Sequence, residues 1–390
     1  MRDRLRTVML RLIGSFSRPW SDRDSSASQC RPSRILLIRP DHIGDLLFTT
    51  PAIRTLRVSF PNAHIAYMVG PWAEEIVRHN EHLDEILICP YPGFTRRQKK
   101  HLLAPYTLLW RQARMLRDRS FDTALILRFD HWWGAMLAFF AGIPRRVGYS
   151  LSPTRPFLSE DIPYSKDRHE VEQNMRLIGA IARGAKPDPG PLEFTVQQEA
   201  VVSAAKLLAG VEPEQGIVCL HPGAGAPVKL WREEAFAQVG DCLAREHGFR
   251  VAITGSLGDR PLTQAIARRM ETNPVVIAGQ TNLGELAAVM AQSRLVIGVD
   301  SGPLHLAVSQ AVPTIHLFGP VDHRAFGPWG DPGKHIAIVA DRTCVPCNRL
   351  DYELNELDDH PCVRSITVDQ VLEAAGSLLG GNSLAREGML

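Results

Sequence analysis

Residues 298 to 307, Gly298-Val299-Asp300-Ser301-Gly302-Pro303-Leu304-His305-Leu306-Ala307, continue an apolar run that begins at Arg294. This order predicts a buried strand, an acid at its carboxyl end, a tight turn and a helix, because Gly allows close backbone approach and Pro suits a first helical turn. Free amides and the helix dipole favour negative charge at such a helix start. The segment predicts an anion site; the simpler interpretation is a strand-to-helix corner capped by Asp300 or Ser301.

Short β-branched runs alternate with longer amphipathic runs from Arg34 onward, which is typical of parallel sheets covered by helices. The first predicted strands are Arg34–Arg39, His64–Val69, Glu85–Cys89, Thr123–Leu127 and Arg146–Tyr149. The second set is Gly216–His221, Arg250–Gly255, Pro274–Ala278, Arg294–Val299, Pro313–Phe318 and His335–Val339. We therefore predict an α/β protein with two Rossmann-like domains, residues 34–195 and 212–365, followed by a C-terminal helix and tail, residues 366–390. Ligands are expected at the carboxyl ends of the strands.

Composition excludes several classes of protein. The chain has 390 residues, 45% of them apolar, and a net charge of +2, which gives no reason to expect nucleic acid as a partner. No apolar run is long enough to cross a bilayer. Seven cysteines, an odd number in a long chain, do not resemble a secreted disulfide framework. We expect a cytoplasmic protein.

Residues 1–33 differ from the rest and are predicted to be a leader. Apolar residues recur in it at helical spacing, and five arginines are opposed by Asp3 alone. The apolar residues are Leu5, Met9, Leu12, Ile13 and Phe16, and the arginines are Arg2, Arg4, Arg6, Arg11 and Arg18. One interpretation is a helix, over residues 1–20, that holds the protein peripherally on the anionic inner face of the cytoplasmic membrane. The other is a disordered leader.

Polar side chains follow several predicted strands. Asp45, after the first strand, can act as a general base or can cap a helix. Lys229, which ends a small-residue loop, can hold a phosphate or be a solvated surface lysine. The loop Thr254–Asp259 lacks the full glycine fingerprint of dinucleotide-binding proteins. His305 alone is more typical of a packed side chain than of a catalyst.

Several motifs in order make the chain resemble the family nine glycosyltransferases, the bacterial heptosyltransferases of lipopolysaccharide core assembly. The motifs are Ile43-Gly44-Asp45, Thr50-Pro51-Ala52, Ala141-Gly142-Ile143-Pro144, Arg146-Val147-Gly148-Tyr149, His221-Pro222-Gly223 and Asp300 to His305. The resemblance extends from Arg34 to about Val371. It implies GT-B architecture, with two Rossmann-like domains facing a central cleft. It also implies inverting, metal-independent transfer of a heptose from an ADP-activated donor to a lipopolysaccharide core or similar glycan acceptor, without a cofactor.

The resemblance also implies roles for individual residues. Asp45 matches the proposed general base, and Lys229 matches the lysine that contacts the donor phosphates. The segment that wraps the donor sugar and diphosphate corresponds to Asp300, Ser301, Gly302 and His305. Asp259 stands where some members have a glutamate near the nucleoside.

The acceptor side has weaker signals. Arg96, Arg97, Lys99 and Lys100 would suit a phosphorylated lipid core, or they form a solvated charge run. His131, Trp132 and Trp133 are either a sugar-stacking surface or part of the core.

One cysteine group could form a metal site, and two other functions are compatible with parts of the sequence. Cys344, Cys347 and Cys362 with His360 could hold zinc, but their spacing is not that of a standard zinc motif and only one close pair is present. The family resemblance implies a structural loop here, so we predict no metal site. A non-catalytic sugar-nucleotide or glycan-binding module would have no need of Asp45. An NAD-dependent oxidoreductase is disfavoured because the full glycine fingerprint is missing.

Overall fold

The computed structural model describes residues 31–95, 103–182, 189–210 and 215–380. Within these ranges the chain forms two units that divide between Pro189 and Gly190. Each unit contains one parallel sheet of six strands.

The sheet of the amino-terminal unit has the strand order β3-β2-β1-β4-β5-β6. Its strands are β1 (Arg34–Ile38), β2 (His64–Val69), β3 (Glu85–Ile88), β4 (Thr123–Ile126), β5 (Arg145–Tyr149) and β6 (Glu160–Ile162). Its helices are α1 (Ile43–Leu47), α2 (Thr50–Ser59), α3 (Glu74–Val77), α4 (Ala104–Arg117), α5 (Trp132–Phe140) and α6 (Glu170–Ile181). The central strand β1 is apolar and almost fully buried after Arg34, as expected for a parallel strand covered on both faces.

The sheet of the carboxy-terminal unit has the order β12-β11-β10-β7-β8-β9. Its strands are β7 (Ile217–His221), β8 (Arg250–Ile253), β9 (Val275–Val276), β10 (Leu295–Val299), β11 (Thr314–Phe318) and β12 (His335–Val339). Its helices are α7 (Gln198–Leu207), α8 (Glu233–His247), α9 (Arg260–Arg269), α10 (Leu283–Ala291), α11 (Gly302–Ser309), α12 (His323–Phe326) and α13 (Val368–Gly380). Helix α13 buries Val371, Ala375 and Leu378 in the same core cluster as Ile315 and Leu317 of β11.

Both sheets have the same topology. In each, the first strand in sequence pairs with the second on one side and with the fourth on the other: β1 lies between β2 and β4, and β7 between β8 and β10. This doubly wound order confirms the predicted α/β class with two Rossmann-like domains. The strand order reverses at β1/β4 and at β7/β10, and ligands of such sheets bind beyond the carboxyl ends of the strands at that point.

The structure differs from the predicted elements in detail. Strand β6 was not among the predicted strands because its three residues, Glu-Asp-Ile, form no apolar run and stay partly exposed. The strand predicted over Pro274–Ala278 is only two residues long in the structure.

The segment that follows Gly190 lies with the carboxy-terminal unit, although the predicted amino-terminal domain extends to residue 195. Trp329 Nε1 donates to the carbonyl of Gly190 over 2.9 Å, and Gln310 Nε2 donates to Phe194 over 3.1 Å. These side-chain contacts depend on residues that are more than a hundred positions away, so local composition does not reveal them.

A glycine at the end of β10 allows the two switch-point strands to lie close together. A Cβ atom at Gly298 would lie 2.4 Å from the carbonyl oxygen of His221 and 2.7 Å from Leu304 Cδ2. The contact with His221 is to backbone, so an added Cβ requires the backbone to shift there, and the Leu304 side chain must also move, since interiors are close-packed.

We predict that Gly298→Ala lowers the free energy of unfolding of the carboxy-terminal unit by roughly 1–3 kcal/mol through overpacking. Urea denaturation followed by circular dichroism measures the change. The matched control is Gly376→Ala in α13, where a new Cβ meets no atom within 4 Å. Alanine there should stabilise by roughly 0.5–1 kcal/mol. Equal stability of the two variants would contradict the close approach at Gly298.

Candidate active site

The switch point of the carboxy-terminal unit holds a lysine–aspartate ion pair. Lys229 ends the 3₁₀ turn Pro227–Lys229, and Asp300 directly follows β10. Their Nζ and Oδ2 atoms are 2.7 Å apart, and the side chains are only 13% and 9% exposed. Lys229 is therefore not a solvated surface lysine. Because the pair is largely removed from water, its electrostatic interactions are stronger than those of an exposed pair.

Helix α11 begins beside this pair. Ser301 occupies the N-cap position with extended backbone, but its side chain makes no capping hydrogen bond, and Gly302 and Pro303 form the first helical positions. The buried Ser301 Oγ has no hydrogen-bond partner among the described residues. The first amides of a helix lack intrahelical acceptors. Ser301 thus does not form the side-chain cap of the simpler interpretation, and the turn offers donors to an anion.

His305 lies one turn into α11 and packs on a row of buried histidines. Its ring centroid is 5.3 Å from that of His316, whose Nε2 is 2.9 Å from Thr314 Oγ1. Thr314 Oγ1 is also 2.9 Å from Nδ1 of His335. Burial lowers the pKa of His316 well below its usual value and that of His335 to about 4. The row beneath His305 is therefore neutral near pH 7.

Asp259 has a local structural role. Its carboxylate accepts hydrogen bonds from the backbone N–H and from Oγ of Ser256, at 2.8 and 2.6 Å, in a reciprocal capping box. A Cβ atom at Gly223 would meet the same carboxylate at 2.7 Å. Asp259 thus lies against the loop that follows β7, and its contact with a nucleoside stays a prediction.

The switch point of the amino-terminal unit is built on the buried guanidinium of Arg39, directly after β1. Its Nη2 donates to Glu170 over 2.7 Å, and Nη1 donates to Oδ1 of Asn174 over 3.0 Å. Nε lies 2.9 Å from Asp41 Oδ2. Asp45 makes the longest of these contacts, with its Oδ1 3.4 Å from Nη2.

Asp45 is in the first turn of α1, and its side chain is 31% exposed. The N-cap of α1 is His42, so Asp45 is not the capping aspartate of the simpler interpretation. Partial burial of the carboxylate and, next in size, the negative charge of Asp41 raise the pKa of Asp45 to about 7. A carboxylate with this pKa and an open edge can accept a proton near neutral pH.

Arg128, which follows β4, is the second cation at this edge. It forms ion pairs with Asp41 and Asp130, and its guanidinium lies 5.2 Å from the ring centroid of Phe94. Although burial opposes ionisation of Asp41, Arg39 and Arg128 hold its pKa below the usual value. Asp41 therefore stays ionised, and its negative charge raises the pKa of Asp45.

The aromatic residues at the start of α5 belong mainly to the core. Trp133 is 3% exposed and packs edge-on against Tyr91, with ring centroids 5.8 Å apart. His131 is 4% exposed, and neither of its ring nitrogens has a hydrogen-bond partner among the described residues. Burial lowers the pKa of His131 to about 3. The structure thus favours the core interpretation of Trp133 over a sugar-stacking surface.

Other predicted features lie outside the described residues or away from both switch points. The basic cluster Arg96, Arg97, Lys99 and Lys100 and the leader 1–30 lie outside the described residues. Cys344 and Cys347 are exposed, whereas Cys362 is buried. Over the four described ranges, no group of three or more His, Cys, Asp or Glu side chains could hold a metal ion. None of the helices in these ranges has the length and apolar character needed to cross a bilayer.

The sequence interpretation missed the partners of Asp45. Arg39 stands at the end of an apolar strand, and a buried arginine needs carboxylate partners. That signal was available, but the identity of Glu170 was not, since it is 131 positions away.

Comparison with known proteins identifies the family of this chain. Residues 109–356, more than half of the chain, match the family model Glycosyltransferase family 9 (heptosyltransferase). Lipooligosaccharide heptosyltransferase 2 of Haemophilus influenzae is 24% identical over 358 residues, covering 88% of this chain and 99% of that protein.

Two solved structures have the same fold. A family 9 glycosyl transferase from Veillonella parvula is 25% identical, with a TM-score of 0.76 over 90% of this chain and 98% of that one. The Escherichia coli ADP-heptose lps heptosyltransferase II is 23% identical, with a TM-score of 0.70 over 90% and 99%. The chain belongs to glycosyltransferase family 9, the heptosyltransferase family, and is a glycosyltransferase.

Proposed function

We propose that this glycosyltransferase moves a heptose from an ADP-activated donor to a lipopolysaccharide core or similar glycan acceptor, with inversion and without a metal. The observation that carries the proposal is the Lys229–Asp300 ion pair at the start of α11, beyond the switch-point strands β7 and β10. The names of the relatives, lipooligosaccharide and ADP-heptose lps heptosyltransferases, support the donor and acceptor classes.

The donor diphosphate would bind Lys229 and the first amides of α11. Lys229 Nζ is already held by Asp300, 2.7 Å away, so it needs little ordering when phosphate oxygens arrive. As the sugar–phosphate bond breaks, negative charge grows on the departing diphosphate. The ammonium group and the amides of Ser301 and Gly302 would stabilise that charge, which is the task a metal performs in other transferases. Asp300 would bind donor hydroxyls or the positive charge that develops on the sugar.

Asp45 would take the proton from the acceptor hydroxyl. Direct attack by that oxygen on the anomeric carbon, opposite the leaving diphosphate, inverts the configuration. With a pKa of about 7, Asp45 is partly ionised at neutral pH and is a stronger base than an ordinary aspartate. The basic cluster Arg96, Arg97, Lys99 and Lys100 remains a predicted contact for acceptor phosphates.

Replacing Lys229 by alanine should weaken donor binding and slow transfer, because one ammonium group contacts both the bound and the departing diphosphate. We expect a loss in kcat/KM for the donor equivalent to about 2–4 kcal/mol. Coupled detection of released ADP measures it. Lys206→Ala, which removes an exposed lysine of α7, is the control and should retain wild-type kinetics. An unchanged kcat/KM in Lys229→Ala would remove Lys229 from the donor site.

Asp45→Asn keeps the size of the side chain and removes its basicity. Transfer should fall by about 10²–10⁴-fold, while calorimetric affinity for ADP stays near that of the wild type. Asp118→Asn, at the exposed end of α4, should leave both quantities unchanged. Full activity in Asp45→Asn would favour a non-catalytic role for Asp45, and lost ADP affinity would make it a binding residue.

The pH dependence of transfer should report the state of Asp45. Since the base must be deprotonated, the rate should rise with pH through about 7. Glu170→Gln removes a negative charge and leaves Arg39 Nη2 free to pair with Asp45. Because both changes lower the pKa of Asp45, the acid limb of the pH–rate profile should move about one pH unit lower. Glu172→Gln, on the exposed side of the same helix, is the control. If the acid limb has the same midpoint in the wild type, Glu170→Gln and Glu172→Gln, ionisation of Asp45 does not determine it.

A further inference from the structure

Helix α4 has an exposed face of large apolar and aromatic side chains. Leu103, which caps the helix, is 71% exposed, Tyr106 is 43% exposed and Trp110 is 59% exposed. They lie three and four positions apart, so they are on one side of the helix. Large apolar side chains that cluster on a surface mark an interaction site more often than single ones do.

The opposite side of α4 is firmly packed. Leu109, Gln112, Ala113 and Leu116 are buried. On the exposed side, the Trp110 ring lies 5.2 Å from that of Phe140 at the end of α5. The core therefore fixes the orientation of α4, and the outward direction of its aromatic face does not result from a loosely attached helix.

The same helix is strongly basic. It contains Arg111, Arg114 and Arg117, all exposed, and no acidic residue between Ala104 and Arg117. Arg114 and Arg117 continue the line of Tyr106 and Trp110 at helical spacing. The face thus combines apolar and aromatic groups with positive charge. It complements a partner that has an apolar interior and an anionic surface.

We propose that this face of α4 (Leu103, Tyr106, Trp110, Arg114 and Arg117) docks on the anionic interface of a lipid bilayer. Tyr and Trp combine a large apolar ring with a polar group and suit the boundary between headgroups and acyl chains. Arginines beside them bind anionic headgroups. The 14-residue helix lies in the membrane plane and does not cross it. This docking surface is independent of the donor site and goes beyond the proposed transfer.

Fluorescence of the full chain with vesicles tests the contact directly. Phosphatidylcholine vesicles containing phosphatidylglycerol are prepared with and without brominated acyl chains, which quench tryptophan at short range. We expect a quenched component in the wild type that is missing in Trp110→Phe, a variant that retains an apolar ring. Trp20→Phe shows whether any quenching comes from the leader. Equal quenching in the wild type and in Trp110→Phe would overturn the proposal.

Partition between buffer and vesicles gives the strength of docking. Arg114→Gln should weaken binding about fivefold, and Trp110→Ser about tenfold. Controls in the same unit are Val58→Ser, an exposed valine of α2, and Arg78→Gln, an exposed arginine beside α3; both should bind as the wild type does.

Two further outcomes would overturn docking on lipid: equal partition of all variants, or a change of oligomeric state in Trp110→Ser without lipid, which would assign the face to a second copy. Transfer to a water-soluble acceptor should be unchanged in Trp110→Ser and Arg114→Gln. Failure of the membrane proposal is therefore distinguishable from failure of the proposed transfer.

Discussion

The switch point of the amino-terminal unit depends on how three carboxylates share the buried guanidinium of Arg39. Arg39 is 2% exposed, and a cation so far from water is tolerated only when carboxylates pair with it. Asp41 and Glu170 take the short contacts, and Asn174 takes another donor. Asp45 is left with the longest contact of the group. Arg39 thus joins the end of β1 to α6 and leaves one carboxylate incompletely neutralised.

The two units share a topology but differ in charge at equivalent places. Beyond β7 and β10, Lys229 and the start of α11 provide a cation and amide donors, and the histidines beneath are neutral. Beyond β1 and β4, carboxylates surround two arginines, and Asp45 has a raised pKa. Transfer of a sugar from a diphosphate needs positive charge and amide donors for the leaving group and a base for the acceptor hydroxyl. Two units of the same topology, with different residues after their strands, can each provide one of these.

Sequence reasoning succeeded where chemistry is local. Continuous apolar runs predict the central strands, and parallel strands bring their carboxyl ends to one edge, so Lys229 and Asp300 could be expected as neighbours. It failed where a contact joins distant segments. Nothing in residues 39–45 identifies Glu170. The capping box of Asp259 is local by contrast, and its Ser256-to-Asp259 spacing is a readable signature that was overlooked. The apolar spacing in α4 is readable, but which side the core covers is not, so the exposure of Trp110 required the structure.

The central claim is that partial burial and the negative charge of Asp41, which the long contact with Arg39 does not cancel, give Asp45 the pKa of a base active near neutral pH. Carbon-13 NMR of the protein labelled at aspartate Cγ, with Asp45→Asn used to assign the signal, follows this carboxylate directly, without substrates. We expect its signal to titrate with a midpoint of about 7. A midpoint near the ordinary aspartate value of 3.8 would contradict the account, because Asp45 would then be an ordinary ionised partner of Arg39.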